Sequence, residues 1–132
     1  VGDTGVNIRN PDKQAQTIVF TGSVPNTDGE TLIAKARYGL NVMPNRYPYN
    51  LQTATKVLEY CAMQIPVISM RSRWIEQFAK SRKALIFWLE PTFHNLTWKN
   101  IKNFNFYTPS VNDLRWNDMI KSSGIFDFLK QG

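Results

Sequence analysis

The chain predicts an α/β fold: a mostly parallel sheet with helices on both faces, followed by a helical carboxyl-terminal tail. Three observations carry that expectation. Short β-branched or apolar runs recur along the chain, segments with helical spacing separate them, and from Pro91 onward the strand-like runs give way to amphipathic stretches. Strands joined by crossovers of ten or so residues form parallel sheets, and helices then cover the faces.

The elements follow in order. Gln16 to Phe20 (QTIVF) reads as a strand that Thr21-Gly22-Ser23 ends in a turn. Asp28 to Arg37 reads as a short helix, with Asp28 as its cap, Glu30 in the first turn, and Leu32, Ile33 and Ala36 at helical spacing. Tyr38 to Met43 is the next strand, stopped by Pro44, and Asn45 to Gln52 is a loop. A helix follows with Thr53 as its cap, because Ala54, Val57, Leu58 and Cys61 recur at i, i+3, i+4 and i+7. Pro66 closes it and opens a buried strand, Pro-Val-Ile-Ser. Trp74 to Ala79 is a further helix and Ala84 to Leu89 a further strand. In the tail, Leu96 to Phe104, Asn112 to Lys121 and Ile125 to Leu129 are amphipathic, with Trp98, Phe104, Trp116, Ile120, Phe126 and Phe128 as packing anchors. Thr108-Pro109-Ser110 is the expected hinge.

A length of 132 residues suits one domain. A net charge of +6 favours anionic partners: nucleotides, nucleic acid or acidic headgroups. Arg71 to Lys83 concentrates that charge and reads first as a solvated helix face, with a membrane-surface or acidic-polymer patch as the second reading and nucleic-acid binding as a third. The apolar runs fall far short of the ~20 residues that cross a bilayer. The single cysteine, Cys61, falls on the apolar stripe of its helix, which points to a small buried hydrophobe and a reducing, cytoplasmic setting. With no Asp-x-Asp pair and one histidine, His94, the chain offers no pattern for a metal site.

The chemistry concentrates where the helix after Gln52 begins. In an open parallel sheet ligands bind beyond the carboxyl ends of the strands, where helix amino termini bring unpaired N–H groups and about half a positive charge. Thr53, Ala54 and Thr55 could cradle phosphate oxygens there, Lys56 adds a full charge, and Glu59 could accept from a ribose diol. The plainer alternative is a capping Thr53 and a weak surface pair between Lys56 and Glu59.

The stretch ARYGLNVMPNRYPYNLQTATKVLEYCAMQIPVIS, residues 36 to 69, resembles the donor-binding signature of GT-B glycosyltransferases of the bacterial polysaccharide-biosynthesis type. The upstream QTIVFTGSVPNTDGETLIAKARYGLNVMP is similar to the preceding part of that family's carboxyl-terminal domain. The resemblance covers residues 16 to 90, with 92 to 132 as a helical tail. It implies a Rossmann-like donor-binding domain over 1 to 132 and transfer of a sugar from a nucleotide-sugar, UDP-linked, to a glycan or lipid-linked acceptor, with no cofactor and no nucleic acid. A cytoplasmic site at the inner face of the plasma membrane would suit that work.

By position, the resemblance assigns Thr53, Ala54, Thr55 and Lys56 to the diphosphate, Glu59 to the ribose, the backbone of Val24 to the base, and Asn50, Leu51 and Gln52 to the sugar. Two positions depart from the pattern: Leu51 stands where many retaining members have a Glu, and Gln64 where a helix-ending Gly is usual. A left-handed Gln64 would cost of order 1 kcal/mol relative to glycine. Because the family places the acceptor and usually the catalytic base in an amino-terminal domain, the chain is expected to be a fragment of a two-domain enzyme. Val1 to Gly5 (VGDTG) resembles the end of an earlier strand. A non-catalytic nucleotide- or partner-binding module built on the same fold is the alternative.

Overall fold

The computed structural model describes residues 21 to 125. The chain divides into two compact units, residues 1 to 36 and 37 to 132, where the sequence suggests one domain. The expected strand at Gln16 to Phe20 and the tail segment beyond Ile125, with Phe126 and Phe128, lie outside the described residues.

In the first unit, helix α1 spans Asn26–Ala34. It starts before the expected Asp28 because Pro25 occupies the cap, its fixed φ of −54° suiting the entry, and its carbonyl accepts from the N–H groups of Asp28 and Gly29 at 3.0 Å each. Asp28 therefore sits in the first turn, where its charge complements the helix dipole, instead of capping the helix.

The second unit is built on three parallel strands in the order β1 (Gly39–Asn41), β2 (Val67–Met70), β3 (Phe87–Leu89). Helix α2 (Thr55–Ala62) connects β1 to β2, and α3 (Arg73–Arg82) connects β2 to β3. The expected α/β class with a parallel sheet is present. Alternation along β2 decides what each face receives. Val67 joins a core with Val57, Cys61, Ile75 and Phe78 from the two crossover helices. Ile68 joins a second core with Phe87, Leu89 and Ile101, packed by Tyr38, Phe104 and Phe106. Ile101 belongs to α4 (Trp98–Asn103), so helices cover both faces of the sheet. Thr97 caps α4, its hydroxyl accepting from the Asn100 N–H at 3.2 Å.

Several boundaries differ from the sequence reading. Helix α2 begins at Thr55 and its cap is Ala54, so the capping role expected of Thr53 is corrected. Ala54 is 1% exposed and belongs to the core, and burying it outweighs the general preference for a hydroxyl at the cap. Strand β3 is shorter than Ala84 to Leu89 because Leu85 pairs in antiparallel fashion with Tyr107 instead. That bridge, a Thr108 hydroxyl donating to the Ile65 carbonyl (3.4 Å), and Arg82 donating to the Ser110 carbonyl (3.3 Å) tie down the stretch expected to be a hinge. The helix expected over Asn112 to Lys121 breaks at extended Arg115 into a 3-10 turn, Asn112–Leu114, and α5 (Trp116–Ser122). Trp116 is 74% exposed and does not anchor packing in this unit, whereas Phe104 stands 5.4 Å from Phe87 and 4.8 Å from Phe106, edge to face.

Two backbone positions have energetic consequences. Gln64, which stands where the resemblance has a helix-ending Gly, adopts the left-handed conformation with φ 58°, and Lys83 does the same at the end of α3 with φ 55°. Gly39 faces the ring of Tyr60, which stands so close that an added methyl would collide with its inner ring atoms. Gly39→Ala should therefore lower stability by about 1–3 kcal/mol, measured by urea unfolding. Lys83→Gly should raise it by up to about 1 kcal/mol, since glycine enters the left-handed region without steric cost; an unchanged urea midpoint in either variant contradicts the geometry.

Candidate functional site

Because α2 follows β1 through residues 42 to 54, its amino terminus stands at the carboxyl rim of a parallel sheet. The rim carries polar groups on the face that the crossover helices cover. Asn41 and Ser69 are register partners, 6% and 0% exposed, and the Asn41 Nδ2 donates to the Ser69 Oγ at 3.0 Å. Ser69 in turn donates to the Met70 carbonyl at 2.8 Å. Beside Ser69 in register lies Trp88, over whose ring the Arg71 guanidinium is placed 4.8 Å from the centroid. Two further buried atoms, the Asn50 Oδ1 and the Ser72 Oγ, have no hydrogen-bond partner among the described residues. Unpaired buried polar atoms are uncommon in native folds.

Thr53 and Thr55 are exposed on either side of buried Ala54. The Thr55 N–H donates to the Thr53 carbonyl (3.0 Å) and the Val57 N–H to the Ala54 carbonyl (2.9 Å), so two of the donors at the start of α2 are already engaged in local turns. Lys56 and Glu59 come together: the Lys56 Nζ is 2.8 Å from the Glu59 Oε2, with side chains 51% and 42% exposed. A pair that open to water contributes about 0.3–0.5 kcal/mol. Asn50 and Leu51 form part of a 3-10 turn, Tyr49–Leu51, that packs against α3, with Gln52 as its exposed carboxyl cap. The structure thus brings Asn50 and Leu51 to the start of α3, a neighbourhood the sequence reading did not connect to the loop. Val24 belongs to the first unit, next to the Pro25 that caps α1.

The other titratable groups have structural settings. Arg82 makes a two-pronged bond to Asp113, at 2.7 and 2.6 Å, which holds the Asp113 carboxyl below its usual range. His94 lies in an exposed turn between the Thr92 hydroxyl (2.6 Å) and the Glu90 carboxylate (3.2 Å). No group of three or more histidine, cysteine or acidic side chains that could hold a metal ion occurs among the described residues. Cys61 is 1% exposed, and burial pushes its thiol up to about 11.

A thiol with that setting is a poor nucleophile. Its neutral form is the one the fold favours, so its contribution to stability is complete below about pH 8.5, the unfolded value, and is lost as pH rises towards about 11. Tyr60, raised by burial, acts in the same direction at higher pH. Native protein should react with iodoacetamide at pH 8 far more slowly than urea-unfolded protein. Stability should decline between pH 9 and 11, and decline less in Cys61→Ala; equal alkylation rates for native and unfolded chains would contradict this burial.

No described helix is long and apolar enough to cross a membrane. No family model, no curated protein and no solved structure matches this chain.

Proposed function

We propose that the chain is the nucleotide-sugar-binding part of a glycosyltransferase of the GT-B kind that builds bacterial polysaccharide. The observation that supports it best is topological. A β1-α2-β2-α3-β3 parallel unit has the start of α2 at its carboxyl rim, the end at which open α/β sheets take up ligands, and Lys56 in the first turn of α2 pairs with Glu59.

Lys56 and Glu59 neutralise each other in the free protein, and a diphosphate-ribose unit would meet each with a better partner. The Lys56 ammonium would turn to the phosphate oxygens, and the Glu59 carboxylate would accept from the vicinal hydroxyls. Both side chains are exposed enough to make that exchange at small cost, since the pair they leave is a surface pair. In the transfer itself the bond between the anomeric carbon and the diphosphate oxygen breaks with its electron pair leaving on the diphosphate. The acceptor hydroxyl, of a glycan or a lipid-linked glycan, forms the new bond and gives its proton to a base outside this chain. Lys56 and the start of α2 would stabilise the charge on the departing diphosphate. Such work suits a cytoplasmic protein that meets the membrane at its surface. A non-catalytic nucleotide-binding module is the second reading, favoured by the closed Lys56–Glu59 pair.

Calorimetric titration with UDP tests the site. Binding should be detectable with the intact chain, and Lys56→Ala and Glu59→Ala should each weaken it by about tenfold, the loss of one charge-assisted hydrogen bond. Absence of heat with the fold intact, or UDP binding indifferent to both substitutions, overturns the assignment. Binding without sugar transfer when the chain is joined to a complete acceptor-binding domain would select the second reading.

A further inference from the structure

A groove of two clefts runs along α3, and neither cleft is lined by Lys56 or Glu59. Its first part, about 150 Å³, lies between the Tyr49–Leu51 turn and the start of α3, with Asn50, Arg73, Trp74 and Gln77 in its wall. Trp74 and Gln77 also line a second cleft of about 330 Å³, which reaches Ser81 and Arg82. Positions 74, 77, 78 and 81 fall on one side of the helix, so the two clefts follow its axis. Trp74 is held by a parallel stack on Phe78, with centroids 5.2 Å apart and planes within 12°.

The polar groups around Trp74 are of a particular kind. Asn50 and Gln77 are planar amides, each with a donor and an acceptor end, and Arg73 is a planar guanidinium. Asn50 and Gln77 border the first cleft, and the Asn50 Oδ1 itself is buried with no partner among the described residues. Arg71 pairs with Glu76 and Arg82 with Asp113, whereas Arg73 has no carboxylate partner among the described residues. Arg73 is therefore the guanidinium that can take up an anionic group from outside. An indole bordered by amides and one uncommitted guanidinium matches a pyranose that carries a carboxylate. The ring's C–H face packs on the aromatic, its hydroxyls bond the amides, and its carboxylate bonds Arg73 in fork geometry. A polynucleotide fits less well, because it would call for a row of uncommitted cations, and of the two that line the clefts Arg82 is held by Asp113 and only Arg73 has no carboxylate partner among the described residues.

We propose that the α3 groove binds an acidic oligosaccharide, with one uronic ring against Trp74 and its carboxylate on Arg73. The groove shares Asn50 and Leu51 with the loop that the donor reading turns to the sugar, but Arg73, Trp74 and Gln77 belong to the groove alone, and the proposal rests on them.

The test is a titration of the intact chain, followed through indole and side-chain amide N–H signals in ¹H–¹⁵N spectra, with digalacturonic acid, cellobiose, UDP and an oligothymidylate as separate probes. Digalacturonic acid should shift the Trp74 indole and Gln77 amide signals and bind about tenfold tighter than cellobiose, the share of one charge-assisted bond. Arg73→Gln, at an exposed position, should abolish that preference with the rest of the spectrum preserved. Lys56→Ala should leave disaccharide binding unchanged. The proposal is overturned if digalacturonic acid shifts neither signal, if its shifts centre on Lys56 and Glu59, if Arg73→Gln keeps the preference for the acid, or if the oligothymidylate binds the groove more tightly. UDP binding with no disaccharide binding would remove the groove proposal and leave the donor site standing, and the reverse result would do the opposite.

Discussion

The central strand Val67–Met70 is hydrogen-bonded on both sides and must bury side chains on both faces, and the second unit is organised by that double demand. Val67 needs α2 and α3 on one side, and Ile68 needs α4 and the aromatic cluster of Tyr38, Phe104 and Phe106 on the other. A parallel ladder cannot be closed by tight turns, so each return requires a crossover, and each crossover helix begins at the same rim. The rim's chemical character is thus a consequence of how the core is closed.

At that rim the apolar alternation gives way to polar residues. Asn41 and Ser69 occupy core-facing positions yet are buried with their hydrogen bonds arranged in series, Asn41 to Ser69 to the Met70 carbonyl. Such a row ties neighbouring strands in register at the end where ligands meet α/β sheets. The unpaired Asn50 and Ser72 oxygens are a different matter, since each lacks a bond that a buried polar atom ordinarily makes. Asn50 borders the α3 groove.

The basic surplus is also distributed with some order. Within the run from 71 to 83 Arg71 is held by Glu76 and the Trp88 ring and Arg82 by Asp113, while Arg73, Lys80 and Lys83 have no carboxylate partner among the described residues, so the cationic stripe is compensated in part. The helix carrying it, Arg73–Arg82, buries Ile75, Phe78 and Ala79 and leaves Arg73 and Gln77 exposed on the groove. Charge along a chain says little about a surface until the partners across space are known.

The sequence by itself determined the class of fold and, between Tyr38 and Leu89, the succession of its strands and helices. Hydrophobic period is a local property: the spacing of Val57, Leu58 and Cys61 marks a helix, and the compact run after Pro66 marks a strand, wherever they are placed. It also marked Cys61 as core. Tertiary structure decided what depends on distant partners. Ala54 capped α2 because its methyl was wanted in the core, Leu85 left β3 to pair with Tyr107, and Trp116 stayed in water while Tyr38 and Phe106 packed the sheet. Of the candidate site, the adjacency of Lys56 and Glu59 was legible because one turn of helix imposes it. The meeting of Asn50 with Arg73 and Trp74 was not, since more than twenty residues and a whole strand separate them and only the packing of the 49–51 turn on α3 brings them together.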